Sequence, residues 1–158
     1  MDNWIFIALL CAAIIHILEE YVFPGGFADA LKNLLPKSSN LFTPRFHVIV
    51  NGLLLILCLC SAIIGRANLI LSLSAFSLVF VNAILHIRGS IINKGYYPGV
   101  VSSILVYIPL TIYTYWRFLG SGQLTWLEGL LSGLLGMTYM VILMVYVLSS
   151  AAEKRSKS

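Results

Sequence analysis

WIFIALLCAAIIHILEEYVF, residues 4–23, decides the architecture. Crossing the hydrocarbon core of a bilayer takes about 20 mostly apolar residues in a helix, and this stretch supplies them. It also carries His16, Glu19 and Glu20. Ionisable groups at that depth cost roughly 2.5–3.5 kcal/mol each on insertion scales, and they face a bundle interior, a partner or a water-filled cavity. The segment therefore predicts both a membrane helix and a functional site on it.

The rest of the chain agrees with a membrane composition. Of 158 residues, 59% are hydrophobic and 10% charged, against about 25% charged in soluble domains. The formal net charge of +4 does not indicate nucleic-acid binding, because the cations sit between apolar segments rather than along one stripe. Cys11, Cys58 and Cys60 all lie inside apolar segments. Their number is odd, and Cys58 and Cys60 point to different helix faces, so they read as packing residues rather than a disulfide or metal motif. No Lys or Arg precedes the first apolar run, which reads as a retained span rather than a cleaved signal.

Five segments qualify as spans: 4–23, 46–65, 67–87, 99–116 and 124–148. The predicted fold is an all-α polytopic bundle, a single transmembrane domain over 1–150, followed by a short basic tail over 151–158. Pro109 predicts a kink in the fourth span. Gly129 and Gly133, followed by Gly136, predict close helix approach in the fifth. Eight of the ten Lys and Arg residues fall on one side: Lys32, Lys37, Arg45, Arg88, Lys94, Lys154, Arg155 and Lys157. Arg66 and Arg117 fall on the other. The positive-inside rule then predicts an N-terminus outside, a C-terminus in the cytoplasm, and residence in the inner (plasma) membrane. Between spans one and two, in the segment 24–45, Phe27, Leu31, Leu34 and Leu35 recur at helical spacing. A surface helix fits there, stopped by Pro36 before the loop residues Ser38, Ser39 and Asn40.

That topology brings the polar groups together in depth. His16, Glu19 and Glu20 end span one, His47 and Asn51 open span two, and Asn82 and His86 end span three. At a rise of 1.5 Å per residue, all seven fall roughly 4–13 Å from the midplane in the cytoplasmic leaflet. His16, Glu19 and Glu20 share an arc of about 100°, and the pairs His47/Asn51 and Asn82/His86 are each one helical turn apart. Imidazole and carboxylate donors together suit Zn, Fe or Mn, with His16, Glu19, Glu20, His86 and His47 as candidate ligands. One ion with an open position fits better than a di-metal carboxylate set, which needs more carboxylates. Metal-free proton exchange between a buried Glu and a His is the other chemistry open to these residues.

With its HxxEE motif at His16 to Glu20, the chain resembles the HXXEE-motif family of small multi-pass membrane proteins. The second family histidine matches His86, in Asn82-Ala83-Ile84-Leu85-His86. The family's Tyr-x-Pro-Gly element matches Tyr96-Tyr97-Pro98-Gly99. The resemblance implies a membrane protein and singles out His16, Glu19, Glu20, His86 and Tyr96; it implies no reaction. Pro98 suits the first turn of a helix, and Gly99 allows close backbone approach. Arg88 flanks the same mouth and would attract anionic headgroups. The expectation is a small membrane enzyme with catalytic His16, Glu19, Glu20 and His86, supported by Asn51, Asn82, Tyr96, Pro98, Gly99 and Arg88. Its partners would be membrane lipids and a lipid-like or amphipathic substrate. A proton-linked transport protein and a structural subunit with a buried polar cluster are the alternatives.

Overall fold

The structure, a computed structural model, describes residues 3–22, 26–34 and 42–156. Every regular element among them is helical. Helix α1 spans Trp4–Val22, α2 Gly26–Leu34, α3 Pro44–Ile64 and α4 Leu69–Asn93. A short α5, Val100–Ser102, runs through a π-helical turn, Ser103–Tyr107, into α6, Ile108–Gly120, and α7 spans Trp126–Ser156. Among the described residues, three segments are long and apolar enough to cross a membrane: Trp4–Val22, Arg45–Ala67 and Leu69–Asn93.

The helix starts follow from local chemistry. Thr43 caps α3, its hydroxyl accepting the Phe46 N–H at 3.2 Å, and Pro44 fills the first turn, where its missing N–H costs nothing. Asn68 caps α4 by accepting the Leu71 N–H at 3.1 Å. Thr125 and Glu128 form a reciprocal capping box at the start of α7. Glu128 is thereby accounted for as a helix-end residue.

Three details differ from the sequence reading. Helix α4 runs past Ile87 to Asn93, because Arg88 and Ser90 do not break a helix; it stops at Lys94, which takes a left-handed φ of 52°. Ahead of Pro109 the chain takes a π-helical turn that the sequence reading did not include. Pro109 cannot donate to a carbonyl four residues back and its ring crowds that carbonyl, and the turn just before it widens, so that the Ile108 N–H reaches Ser103 O. Cys58 is buried as expected, whereas Cys11 and Cys60 face outward. Helix α2 forms where a helix was expected between the first two spans; the predicted stop at Pro36, the loop Ser38–Asn40 and the last repeat residue, Leu35, lie outside the described residues.

The bundle is apolar outside, and its interior mixes apolar and polar side chains. Ile7, Ile14, Ile15, Leu18, Val48 and Ile56 are exposed on α1 and α3, while serines and threonines are buried. Among the latter, Ser61 Oγ donates to Ser72 O at 2.9 Å and Ser72 Oγ to Gly65 O at 2.8 Å, tying α3 to α4. Contiguous exposed apolar surface of this kind suits lipid better than water. Along the bundle, the interior divides in two. One half is an apolar core in which Phe6 packs on Phe76 and Phe118, with centroids 6.0 and 5.8 Å away. At that end Arg66 donates to Gln123, joining the α3–α4 and α6–α7 connections. The other half holds the histidines and carboxylates, where α1 and α4 end and α3 and α5 begin.

Helix α7 packs on α4 at one glycine. A Cβ on Gly136 would stand 2.5 Å from both Ser74 O and Ser77 Cβ, so nothing larger than hydrogen fits. Gly133 has no neighbour within 4 Å of such a Cβ, and Gly129 only ordinary contacts. The four-residue glycine pair therefore does not make the close approach; Gly136 does. Gly136→Ala is expected to destabilise the bundle by about 1–3 kcal/mol, the usual penalty for overpacking. Thermal unfolding in detergent checks this, with Gly133→Ala expected to unfold like wild type.

Candidate functional site

Helix α1 presents three polar side chains at its buried end, and they serve two different purposes. Glu20 faces α3 and α4. Its Oε1 lies 3.4 Å from His16 Nε2 and 3.2 Å from His86 Nε2. Its Oε2 accepts from Asn51 Nδ2 at 2.9 Å. His16, Glu20 and His86 are all buried, and one ligand atom from each falls within 4.8 Å of the others.

Glu19 turns the other way. Its Oε2 accepts the Ser102 N–H at 2.7 Å, and its Oε1 accepts the Val101 N–H and the Tyr96 hydroxyl, both at 3.0 Å. The two amides belong to the first turn of α5, where backbone N–H groups lack helical partners and a negative charge is favoured. Glu19 is thus a helix cap supplied by another helix. Partial burial and the adjoining Glu19 carboxylate push the Tyr96 phenol up to about 12, which keeps it a neutral donor near pH 7.

The Tyr-Pro-Gly turn sets the chemistry of both histidines. Pro98 O lies 2.7 Å from His86 Nδ1. A carbonyl only accepts, so Nδ1 carries a proton, and in the neutral ring Nε2 is the lone-pair nitrogen that faces Glu20. His16 Nδ1 lies 2.8 Å from Ser102 Oγ, whose own proton goes to Gly99 O at 3.3 Å. Asn82 Nδ2, which only donates, approaches His16 Nε2 at 3.2 Å. Both contacts give His16 the same tautomer, with the proton on Nδ1 and the lone pair on Nε2. In these tautomers both Nε2 atoms close on one carboxylate oxygen, and Asn82 Nδ2 shares that of His16. The His16 and His86 rings meet edge to face at 4.6 Å, and Tyr107, from the π-helical turn, covers His16 at 4.6 Å.

Gly99 makes this seating possible. Its φ of 88° is left-handed, and a Cβ there would stand 2.6 Å from His86 Nδ1 and 2.8 Å from His16 Cε1. Tyr97, buried against Gly89 and the His86 ring, anchors the turn from the other side. Burial and the Glu20 charge raise its phenol well above the usual range.

Of the residues singled out in the sequence, His16, Glu20 and His86 come together with Asn51 and Asn82 touching them. Tyr96, Pro98 and Gly99 support them through Glu19 and the histidine Nδ1 atoms. Glu19 and His47 stand outside the three-residue group. His47 is buried, and its Nδ1 donates to Thr43 O at 3.0 Å. Arg88 is exposed at the end of α4 and makes no charged contact among the described residues. Ser102, Phe27 and Tyr107 belong to the surroundings of the site and were not found from the sequence. Ser102 had a signal, a small polar residue three positions after Gly99 at the start of an apolar run.

Glu19→Gln should keep the cluster's donor atoms and lose the charge-assisted bonds to the α5 amides, costing about 1.5–3 kcal/mol in thermal unfolding. Gly99→Ala, by contrast, is expected to displace both imidazoles and abolish whatever the cluster binds. Gly95→Ala, with only a backbone oxygen at 4.0 Å, serves as its neutral control.

No curated protein and no solved structure matches the chain. A family profile described as a protein of unknown function with HXXEE motif matches residues 4–114, which include every residue of the His/Glu cluster and of the Tyr-Pro-Gly turn. The chain belongs to this HXXEE family.

Proposed function

We propose that the chain is a membrane-embedded enzyme that holds one divalent metal, Zn, Fe or Mn, on His16 Nε2, His86 Nε2 and Glu20. The observation that carries this reading is the pair of imidazole Nε2 atoms that close on one carboxylate oxygen, at 3.4 and 3.2 Å. Ligands about 2.0–2.1 Å from a tetrahedral ion stand roughly 3.3 Å apart, so these separations already match two edges of a coordination tetrahedron. Among the described residues His86 Nε2 has no hydrogen-bond partner, as a ligand atom awaiting an ion would not. The Nδ1 contacts to Pro98 O and Ser102 Oγ are the outer contacts that metal-binding histidines use to fix their tautomer. Asn51 does the same for Glu20 by occupying Oε2 and leaving Oε1 free to bind.

One adjustment is needed on loading. Asn82 Nδ2 shares the His16 lone pair, and turning that amide about its last torsion replaces the NH2 group with Oδ1. Two histidines and one glutamate are a donor set of hydrolytic zinc sites, which keep a fourth position for water or substrate. A bound ion would supply an activated water or a polarised carbonyl or phosphoryl oxygen. The protein's own part is to hold the three donors rigidly in a dry, apolar surround and to exclude bulk water with Tyr97, Tyr107 and Phe27. An amphipathic, lipid-like substrate fits a site that opens within an apolar bundle.

In this reading the chain spans the inner membrane five times, with α5–α6 and α7 as the fourth and fifth spans. The N-terminus lies outside and the site in the cytoplasmic leaflet. The lysine and arginine distribution supports this orientation. So does the Arg66–Gln123 contact, which puts the two cation-poor connections at one end of the bundle. A reporter that fluoresces only in the cytoplasm should light up when fused after residue 158, and a periplasm-dependent phosphatase fused there should stay inactive.

Elemental mass spectrometry of detergent-purified protein tests the metal. Near one equivalent is expected in wild type and in Glu19→Gln, falling to background in His16→Ala, His86→Ala and Glu20→Gln. A metal-free wild type after supplemented growth, with Glu20→Gln melting as early as Glu19→Gln, would make the cluster a structural staple instead.

A further inference from the structure

Four rings stand in a row at the polar end of the bundle. His16 lies 4.6 Å from His86, His86 4.9 Å from Phe27, and Phe27 5.5 Å from His47. The first two belong to the His/Glu cluster. Phe27 comes from α2, and His47 lies beyond it at the start of α3.

His47 is an unusual residue to bury. It is 4% exposed, its Nδ1–H is committed to Thr43 O at 3.0 Å, and its Nε2 has no hydrogen-bond partner among the described residues. Its neighbours are the rings of Phe27, Phe42 and Phe46, none of which satisfies a ring nitrogen. Buried polar atoms are nearly always paired, and those that are not call for a ligand or a functional role. An ion would give His86 Nε2 its partner; His47 Nε2 would still have none.

We infer that the space filled by the Phe27 ring is the seat of an anionic oxygen headgroup on an amphiphile, held by the metal on one side and by His47 on the other. This rests on the metal reading of the cluster. Phe27 is the residue that can leave. It sits on a nine-residue amphipathic helix at the bundle surface, packed on α1 and α4, not on a membrane-spanning helix. With the ring swung away, a carboxylate or phosphate oxygen would meet the ion beside His86, and the headgroup would hydrogen-bond to His47 Nε2. Arg45, exposed two residues before His47, adds a cation at the same helix end. Phe42 and Phe46 offer an apolar wall to the chain that follows the headgroup.

The test uses full-length, zinc-loaded protein in detergent and lauroyl hydroxamate, an amphiphile whose anionic head chelates zinc, with calorimetry as the readout and zinc content measured on every variant. His47→Phe should retain zinc and bind the hydroxamate about tenfold more weakly or worse, the loss of one buried hydrogen bond. Phe27→Ala should retain zinc and bind more tightly, since no ring need be displaced, and Phe27→Trp should bind more weakly. Zinc-replete His47→Phe and Phe27→Ala with wild-type affinity would overturn this inference while leaving the metal site standing. A wild type that takes up no zinc would overturn the metal reading, and this one with it.

Discussion

Everything at the polar end of this bundle depends on which nitrogen of two histidines carries the proton. His86 is held by the Pro98 carbonyl and His16 by the Ser102 hydroxyl, both through Nδ1. Each neutral ring is thereby left with a lone pair on Nε2, and both Nε2 atoms lie close to Glu20 Oε1, with Asn82 Nδ2 also on that of His16. In an apolar interior such an arrangement is unfavourable unless something positive sits among the three donors, because a carboxylate and two lone pairs repel. An ion or a proton relieves it. The backbone turn that imposes the tautomers lies a dozen residues beyond His86 itself, so the fold, not the histidines, decides the chemistry.

The motif residues divide into those that present donor atoms and those that hold the frame. Glu19 and Glu20 are adjacent in sequence and opposite in role. Glu20 faces the histidines, and Glu19 caps the first turn of α5 and holds Tyr96. The Tyr-Pro-Gly turn then acts as a single part. Tyr96 ties it to α1, Tyr97 seats it on α4, Pro98 orients His86, and Gly99 leaves room for both imidazoles. The π-helical turn ahead of Pro109 extends the same frame by laying Tyr107 on His16. Apolar packing at the far end, around Phe6, Phe76 and Phe118, fixes the helices on which these parts ride.

Much of this was legible in the residues. Length and hydropathy place the helices, and depth plus i,i+4 spacing brings His16, Glu20, His86, Asn51 and Asn82 to one place. What separates Glu19 from Glu20 was not legible. The two share one arc of α1, and which of them meets the histidines depends on how α5 docks against α1. His47 was assigned to the cluster from depth alone; Phe27 stands between them, and that follows from where α2 settles. Gly129 and Gly133 have the spacing of a packing motif, yet α7 makes its close approach at Gly136, because contact depends on which face meets α4 rather than on spacing. Ser102 is the clearest omission, since its role exists only once the turn at Gly99 has formed.

The measurement that bears most directly on this account is the protonation of the histidine rings, read by long-range proton–nitrogen correlation in the purified protein. The account requires His16 and His86 both to carry their proton on Nδ1, with Nε2 unprotonated and shifted further on metal loading. Protons on Nε2 of either ring, or on both nitrogens of both rings whether or not metal is supplied, would contradict it.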